Sequence, residues 1–429
     1  MILKGNIIYM ADKDTTIALK DGYLIIDDGI VKKVYSGSEF AGSEYVNEDV
    51  TDYGNRLIIP GMTDLHLHAS QFGFLGLGMD EELMEWLNEH AFKEEAKFSD
   101  IGYAEAMYSH FADELIRSPT TRACIFTTIH KDSAFLLAKM LDKLGFSAYV
   151  GKVNMDRESP PELTEDMQKS AEDTETFING VISECKNVRP IITPRFVPSC
   201  TDGLMKKLGD LRAKYGLSVQ SHLSENPEEI DLVKQLNPEA RFYGDAYDIF
   251  GLFGGGYNAV MAHCVYSSDL EMELMRKNGV FIAHCANSNY SLSSGIAPIR
   301  KYLEYGLKVG LGTDIAGGFS ISMFRAIQDT IAVSKLLWRT DEKSPRPVSF
   351  KEAFYLATMG GGEFFGKVGS FIEGFEADIL VLDDSREKYP LPQNLEDRLE
   401  RICYLSDNGA VYAKYIKGNL VMQKGNDVK

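Results

Sequence analysis

Two hydrophobic periodicities divide this chain. Up to about residue 55, apolar residues alternate with polar ones in the short runs 2–10, 16–19, 23–26 and 30–35, the spacing of strands with one buried face. Asp21-Gly22 and Asp28-Gly29 punctuate these runs, and Asp-Gly pairs favour the left-handed backbone of tight hairpin turns. The segment therefore reads as all-β. After Pro60-Gly61 the texture changes to short apolar runs alternating with helical stretches, and eight runs read as strands: 57–67, 122–129, 148–155, 190–196, 217–221, 259–262, 280–283 and 309–313. The stretch 133–144 is read as a helix with Phe135, Leu136, Met140 and Leu144 on one face before Gly145, and 204–215 as a helix stopped by Gly216. Strands and helices in this alternation predict an α/β fold, either a (β/α)8 barrel of the TIM type or a doubly wound open sheet. No G-x-G-x-x-G follows the first strand, which weakens the dinucleotide-binding form of the open sheet. Runs 376–382 and 410–422 return to strand patterning, with no helix expected between them. The simplest organisation is a barrel over 59–372 beside a small composite β-sandwich built from both chain ends, 1–58 and 373–429.

Composition narrows the function without naming it. The 429 residues are 44% hydrophobic and 25% charged, enough for an extensive core, and 45 basic against 63 acidic residues give a net charge of -18. Such a surface repels phosphate backbones and anionic membranes, so neither nucleic acid nor a membrane is an expected partner. No stretch approaches about 20 uncharged apolar residues, and the opening MILKGNIIYM lacks signal-peptide architecture. The expected location is the cytoplasm. The six cysteines include no C-x-x-C pair, which argues against a zinc ribbon, a disulfide framework and the deaminases that hold zinc through P-C-x-x-C. Any metal here needs other ligands.

Histidine and aspartate at strand ends supply them. His66 and His68 close the run LIIPGMTDLHLH; residues two apart on a strand share a face, so both imidazoles can reach one divalent ion. A lone histidine on such a strand is more often a hydrogen-bonded core residue. The pair has company, because His222, His263 and Asp314 end the fifth, sixth and eighth predicted strands, where a barrel places its active site. Imidazoles with one carboxylate suit zinc, or ferrous iron, and leave a position for an activated water. Glu225, three residues past His222 and just before Asn226-Pro227, is the candidate acid, set at the start of a helix over 228–236. His90 and His110 read as surface or packing residues, and His130 and His284 as supporting residues at strand ends.

The segments PGMTDLHLH, SHLSEN, MAHC, IAHCANSN and GLGTD resemble the amidohydrolase superfamily. HASQF, LMEWLNEHAFKEEAKFSD, VGKVNMD, ITPRFVPSC, SNYSLSSG and LGTDIAGGFS, in order over about 60–320, are similar to its guanine deaminase family. The resemblance implies that His66, His68, His222 and Asp314 bind one zinc ion per chain, with ferrous iron the alternative. It further implies that Glu225 shuttles protons, that Asp314 takes a proton from the attacking water, and that His263 lies beside that water. Gln71, Arg195 and Phe196 would contact the purine together with Glu225 and Asp314, and the enzyme would be a homodimer converting guanine to xanthine and ammonia. One departure is Ala286, where the family run usually has proline. Arg195 offers a fork of donors suited to adjacent acceptors, and Gln71 both donates and accepts; Phe196, Phe72 and Phe74 are all candidates to stack on the base.

Two other functions fit part of the pattern. A deaminase of another heterocycle, such as 8-oxoguanine, cytosine or an aminotriazine, would need the same ligands. Cyclic amidases of the superfamily typically carry a bridging lysine on the fourth strand, and PIITPRFVPSC has none. A catalytically silent scaffold would have no use for the complete ligand set with Glu225.

Overall fold

The computed structural model describes residues 1–341, 344–387, 391 and 393–425. Its strands in chain order are β1 (Ile2–Met10), β2 (Thr16–Asp27), β3 (Ile30–Tyr35), β4 (Val50–Pro60), β5 (Met62–His68), β6 (Thr120–Phe126), β7 (Ser147–Gly151), β8 (Val153–Asn154), β9 (Val188–Pro190), β10 (Thr193–Pro194), β11 (Val219–Leu223), β12 (Ala259–His263), β13 (Phe281–His284), β14 (Lys308–Leu311), β15 (Ile379–Leu382), β16 (Val411–Ile416) and β17 (Asn419–Gln423).

Both chain ends meet in one seven-stranded mixed sheet ordered β17-β16-β15-β4-β1-β2-β3. The runs 16–19 and 23–26, expected as two strands, are one strand. Asp21 takes a positive φ of 51° close to a register shift against β1 between Gly5 and Ile7, so Asp21-Gly22 lies at an irregularity and makes no turn. Asp28-Gly29 behaves as expected: both residues have positive φ, and Asp27 pairs with Ile30 across a two-residue hairpin. The C-terminal expectation is corrected, since helix Leu395–Leu405 lies between β15 and β16. Its Asn394 side chain caps the Asp397 N–H, and Leu399, Ile402 and Cys403 are buried, a helical spacing that the flanking strand patterns concealed.

The eight-strand stretch forms two four-stranded parallel sheets, β5-β6-β7-β9 and β11-β12-β13-β14. Backbone bonds link their edges on both sides. The Ile192 N–H donates to Ser218 O at 3.0 Å and the Gln220 N–H to Ile192 O at 3.0 Å; opposite, the Asp314 N–H donates to His66 O and the His68 N–H to Ile315 O, each at 2.9 Å. Three expected strands prove to be interrupted. The run 57–67 divides at Pro60-Gly61, its first part belonging to the mixed sheet and its second to β5; a Cβ at Gly61 would collide with the Thr121 side chain, so only glycine passes this change of sheet. The run 190–196 breaks around Pro190 and Pro194, which donate no backbone N–H, and 148–155 divides into β7 and β8.

Helices at 131–143, 202–215 and 227–236 lie within a few residues of expectation. Gly216 ends the second with a φ of 67°. In the first, the buried face is Ala134, Leu137, Ala138 and Leu141, whereas Phe135, Leu136 and Met140 are half-buried and Leu144 is exposed.

A buried ion pair ties the two architectures together. Arg122 on β6 donates to Asp378 through Nε at 2.5 Å and Nη2 at 2.9 Å, to Glu376 at 2.6 Å and to Ser147 at 2.7 Å. Removing the arginine strands the wholly buried Asp378 carboxylate without solvent, so Arg122→Met is expected to cost about 3–5 kcal/mol of unfolding free energy. Urea titration measures it, and a loss below about 1 kcal/mol, the range of an exposed pair, would refute a bridging role.

Candidate active site

Strand β5 is buried along its length, and its period-2 alternation puts Asp64, His66 and His68 on one face. Asp64 accepts hydrogen bonds from Thr313 Oγ1 (2.5 Å), the Thr313 N–H (3.0 Å) and the His66 N–H (3.2 Å), which fixes the end of β14 against β5. Burial raises its carboxyl to about 7 despite these donors. Sequence reading passed over this residue, although its spacing from His66 was the available signal.

Five side chains expected at strand ends converge. His66 Nε2 lies 3.2 Å and His68 Nε2 3.5 Å from Asp314 Oδ1, and His68 Nε2 lies 3.1 Å from His222 Nε2. His263 Nε2 is 3.7 Å from Asp314 Oδ2 and 3.4 Å from Glu225 Oε2. Ligand atoms of His66, His68 and Asp314, and separately of His66, His222 and His263, all lie within 4.8 Å of one another. The spacing matches a four-coordinate ion, because bonds of about 2.0–2.1 Å in a tetrahedron put ligand atoms about 3.3 Å apart. His66 Nε2 and His263 Nε2 are buried near carboxylate oxygens yet make no hydrogen bond among the described residues, so both nitrogens are available to a ligand.

The surroundings prepare the rings as ligands. His222 Nδ1 donates to Arg195 O at 2.6 Å and His263 Nδ1 to Asn289 Oδ1 at 2.9 Å, leaving each Nε2 with its lone pair inward. Burial lowers the His66, His68 and His222 imidazoles below the ordinary range. Asp314 is buried, which alone would raise its carboxyl, but the imidazoles around it hold it well below the usual value. Backbone conformation also marks the place: Ser224, His263, Cys264 and Asp314 all have φ between 48° and 70°, left-handed geometry that non-glycine residues keep only where surrounding structure enforces it.

Glu225 borders this centre. Its Oε1 accepts from Ser294 Oγ at 2.9 Å and its N–H donates to Glu229 Oε2 at 3.1 Å. Burial raises its carboxyl above the ordinary value, so the group is suited to carrying a proton. Asn226 caps helix Pro227–Leu236 and Glu229 completes the capping box. Glu229 is itself buried, with its carboxyl raised to about 7 chiefly by that burial.

His68, His222, His263, Glu225 and Asp314 open onto a cleft of about 510 Å³, counted out to its mouth. Gln71, Arg195 and Phe196 line it, while Leu83, Met84, Trp86, Leu87 and Leu292 give it an apolar wall, the usual make-up of a small-molecule site. Phe72 instead packs against Phe111, and Phe74 against Trp86 and His90; neither lines the cleft. His90 pairs with Glu81, His110 is exposed, and His130 and His284 also lie outside the cleft lining.

Comparisons with known proteins identify the family. Residues 57–421 match the amidohydrolase family. Guanine deaminase of Dictyostelium discoideum is 36% identical, with 98% of each chain covered, and that of Escherichia coli K12 is 33% identical over 95% of this chain and 92% of its own. The crystal structure of guanine deaminase from C. acetobutylicum, with guanine in its active site, superimposes with a TM-score of 0.95 at 47% identity, covering 98% of this chain and 99% of that one. The chain belongs to the amidohydrolase family, alongside the guanine deaminases.

Proposed function

We propose that this chain hydrolyses guanine to xanthine and ammonia. One observation carries the reading: a chain 47% identical over 98% of this length holds guanine in its active site, and the cleft here brings imidazoles, the carboxyl groups of Glu225, Glu229 and Asp314, and the donors of Gln71 and Arg195 to one place. His66, His68, His222 and Asp314 are the proposed ligands of a single divalent ion, zinc or ferrous iron. Such an ion lowers the pKa of water, making a nucleophile available near neutral pH.

The side chains divide the remaining work. Gln71 and Arg195 hold the purine by its polar edge, and Phe196 stacks on its face. Asp314 takes the proton from the attacking water, and His263 hydrogen-bonds the oxygen as it approaches C2. Glu225 delivers a proton to the ring nitrogen beside C2 as the new C–O bond forms. Left ionised, it takes the proton of the new C2 hydroxyl and passes it to the exocyclic amine; the C2–N bond breaks to release ammonia, and the proton held by Asp314 then returns Glu225 to its acid form. The overall balance is guanine plus water to xanthine plus ammonia.

The finer architecture follows the same reading. The edge-to-edge bonds between the two parallel sheets support a closed (β/α)8 barrel over 59–372, and the seven-stranded sheet supports a composite β-domain from 1–58 and 373–429, built on a single sheet where a sandwich of two was expected. A cytoplasmic homodimer is the proposed form; among the described residues no helix is long and apolar enough to cross a membrane. The test is ammonia release from guanine, adenine, cytosine and 8-oxoguanine, with metal analysis and sedimentation velocity on the same preparation. Guanine is expected to be turned over far faster than the others, with one metal per chain and a two-chain mass. Faster turnover of another heterocycle would overturn the substrate assignment.

A further inference from the structure

Glu95 sits on the short helix Phe92–Ala96, far in sequence from every strand end, and its side chain is wholly buried. Its two oxygens are divided between two cleft residues: Oε1 accepts from Gln71 Nε2 at 2.8 Å and Oε2 from Arg195 Nη1 at 2.5 Å. Gln71 Oε1 in turn accepts the Ala316 N–H at 3.1 Å. This arrangement permits one orientation of the amide, since a flip would set its oxygen against the carboxylate and its NH₂ against a backbone N–H. The Arg195 guanidinium lies 5.0 Å over the Phe92 ring, on the same helix as Glu95, and makes no other hydrogen bond among the described residues. Its remaining donors are therefore free for a ligand.

We infer that Glu95 is a positioning residue that sets substrate specificity, by orienting Gln71 and Arg195 as donors and cancelling the Arg195 charge, so that the wall selects a neutral purine bearing acceptors over an anionic one. The inference rests on guanine as substrate. Without Glu95 the guanidinium would face the cleft as an uncompensated buried cation, which attracts anions strongly in a site closed off from water. Gln71 would lose the partner that fixes which end of its amide faces the ligand.

Steady-state kinetics of the metal-loaded enzyme test this, with urate, a purine that is anionic at neutral pH, as competing ligand. For Glu95→Gln the guanine KM is expected to rise by about 10- to 100-fold, the scale of hydrogen bonds to charged groups. The kcat should change by less than about threefold, because the variant loses binding shared by ground and transition states. Metal content should be unchanged, and urate inhibition should tighten by about tenfold or more. Glu95→Asp, one methylene shorter but still charged, is expected to raise the guanine KM while keeping wild-type urate inhibition, and it serves alone should Glu95→Gln not fold. Unchanged guanine KM and urate inhibition in the variants would overturn the inference, as would a loss confined to kcat or accompanied by loss of metal. Failure of the substrate assignment is distinguishable, since the wild-type enzyme would then release no ammonia from guanine.

Discussion

Replacing His222 with alanine is expected to strip the metal from the site and to lower kcat/KM for guanine by about 10³-fold or more, because the ion's Lewis acidity contributes several kcal/mol to the transition state. His222 is the sharpest place to test the centre. Its Nε2 lies 3.1 Å from that of His68 while its Nδ1 is fixed on Arg195 O, so the ring has one free nitrogen and one direction in which to use it. Alanine removes that lone pair and leaves His66, His68 and Asp314, whose ligand atoms still lie together but close only one side of a tetrahedron. Elemental analysis after dialysis against a weak chelator reads the metal, and steady-state kinetics the activity. A variant that kept one ion per chain and a near wild-type rate would remove His222 from the ligand set, and with it the interpretation of the 3.1–3.5 Å spacings.

The second large effect is expected at Glu225. Glu225→Gln should lower kcat by about 10² to 10⁴ while the metal content and the thermal midpoint stay at wild-type values. The substitution is nearly isosteric, and the amide oxygen can still accept from Ser294, so packing is preserved. What disappears is the exchangeable proton. Burial, set against His263 across 3.4 Å, raises the carboxyl above its ordinary range; an amide titrates nowhere in reach and cannot give a proton to the ring nitrogen or to the departing amine. A fall in kcat with kcat/KM falling in parallel would place the lost contact in the transition state. A rate within about threefold of wild type would mean that another group carries the protons, with Glu229, buried beside Glu225 and raised to about 7, the first to examine.

The gathering of histidines and Asp314 at strand ends was legible because its pattern is local. His66 and His68 share a strand face whatever the fold, and a strand end is recognisable from the loss of apolar residues that follows, so His222, His263 and Asp314 could be placed before any coordinates. Gly216 and the Asn226-Pro227 pair fixed helix ends by backbone rules that hold in isolation. Errors arose where two local signals competed. Asp21-Gly22 carries the residues of a turn but sits at an irregularity within one strand, because pairing with β1 continues on both sides. The helix Leu395–Leu405 was missed between two strand patterns, and the face of the helix at 131–143 was misassigned, its buried side being Ala134, Leu137, Ala138 and Leu141.

Residues that act by reaching across the fold gave no such signal. Glu95 stands 100 positions from its partner Arg195, in a helical run where a glutamate is ordinarily a solvated residue, and Asn289 and Ser294 are unremarkable polar positions until His263 and Glu225 are set against them. Sequence alone determined the candidate ligand types, their strand-end placement and the alternation of elements, because side-chain period and backbone preference depend only on near neighbours. Which phenylalanine faces the cleft, which carboxylate cancels Arg195 and how two chain ends join one sheet were decided by tertiary packing, because burial and distance between remote segments exist only once the chain has closed on itself.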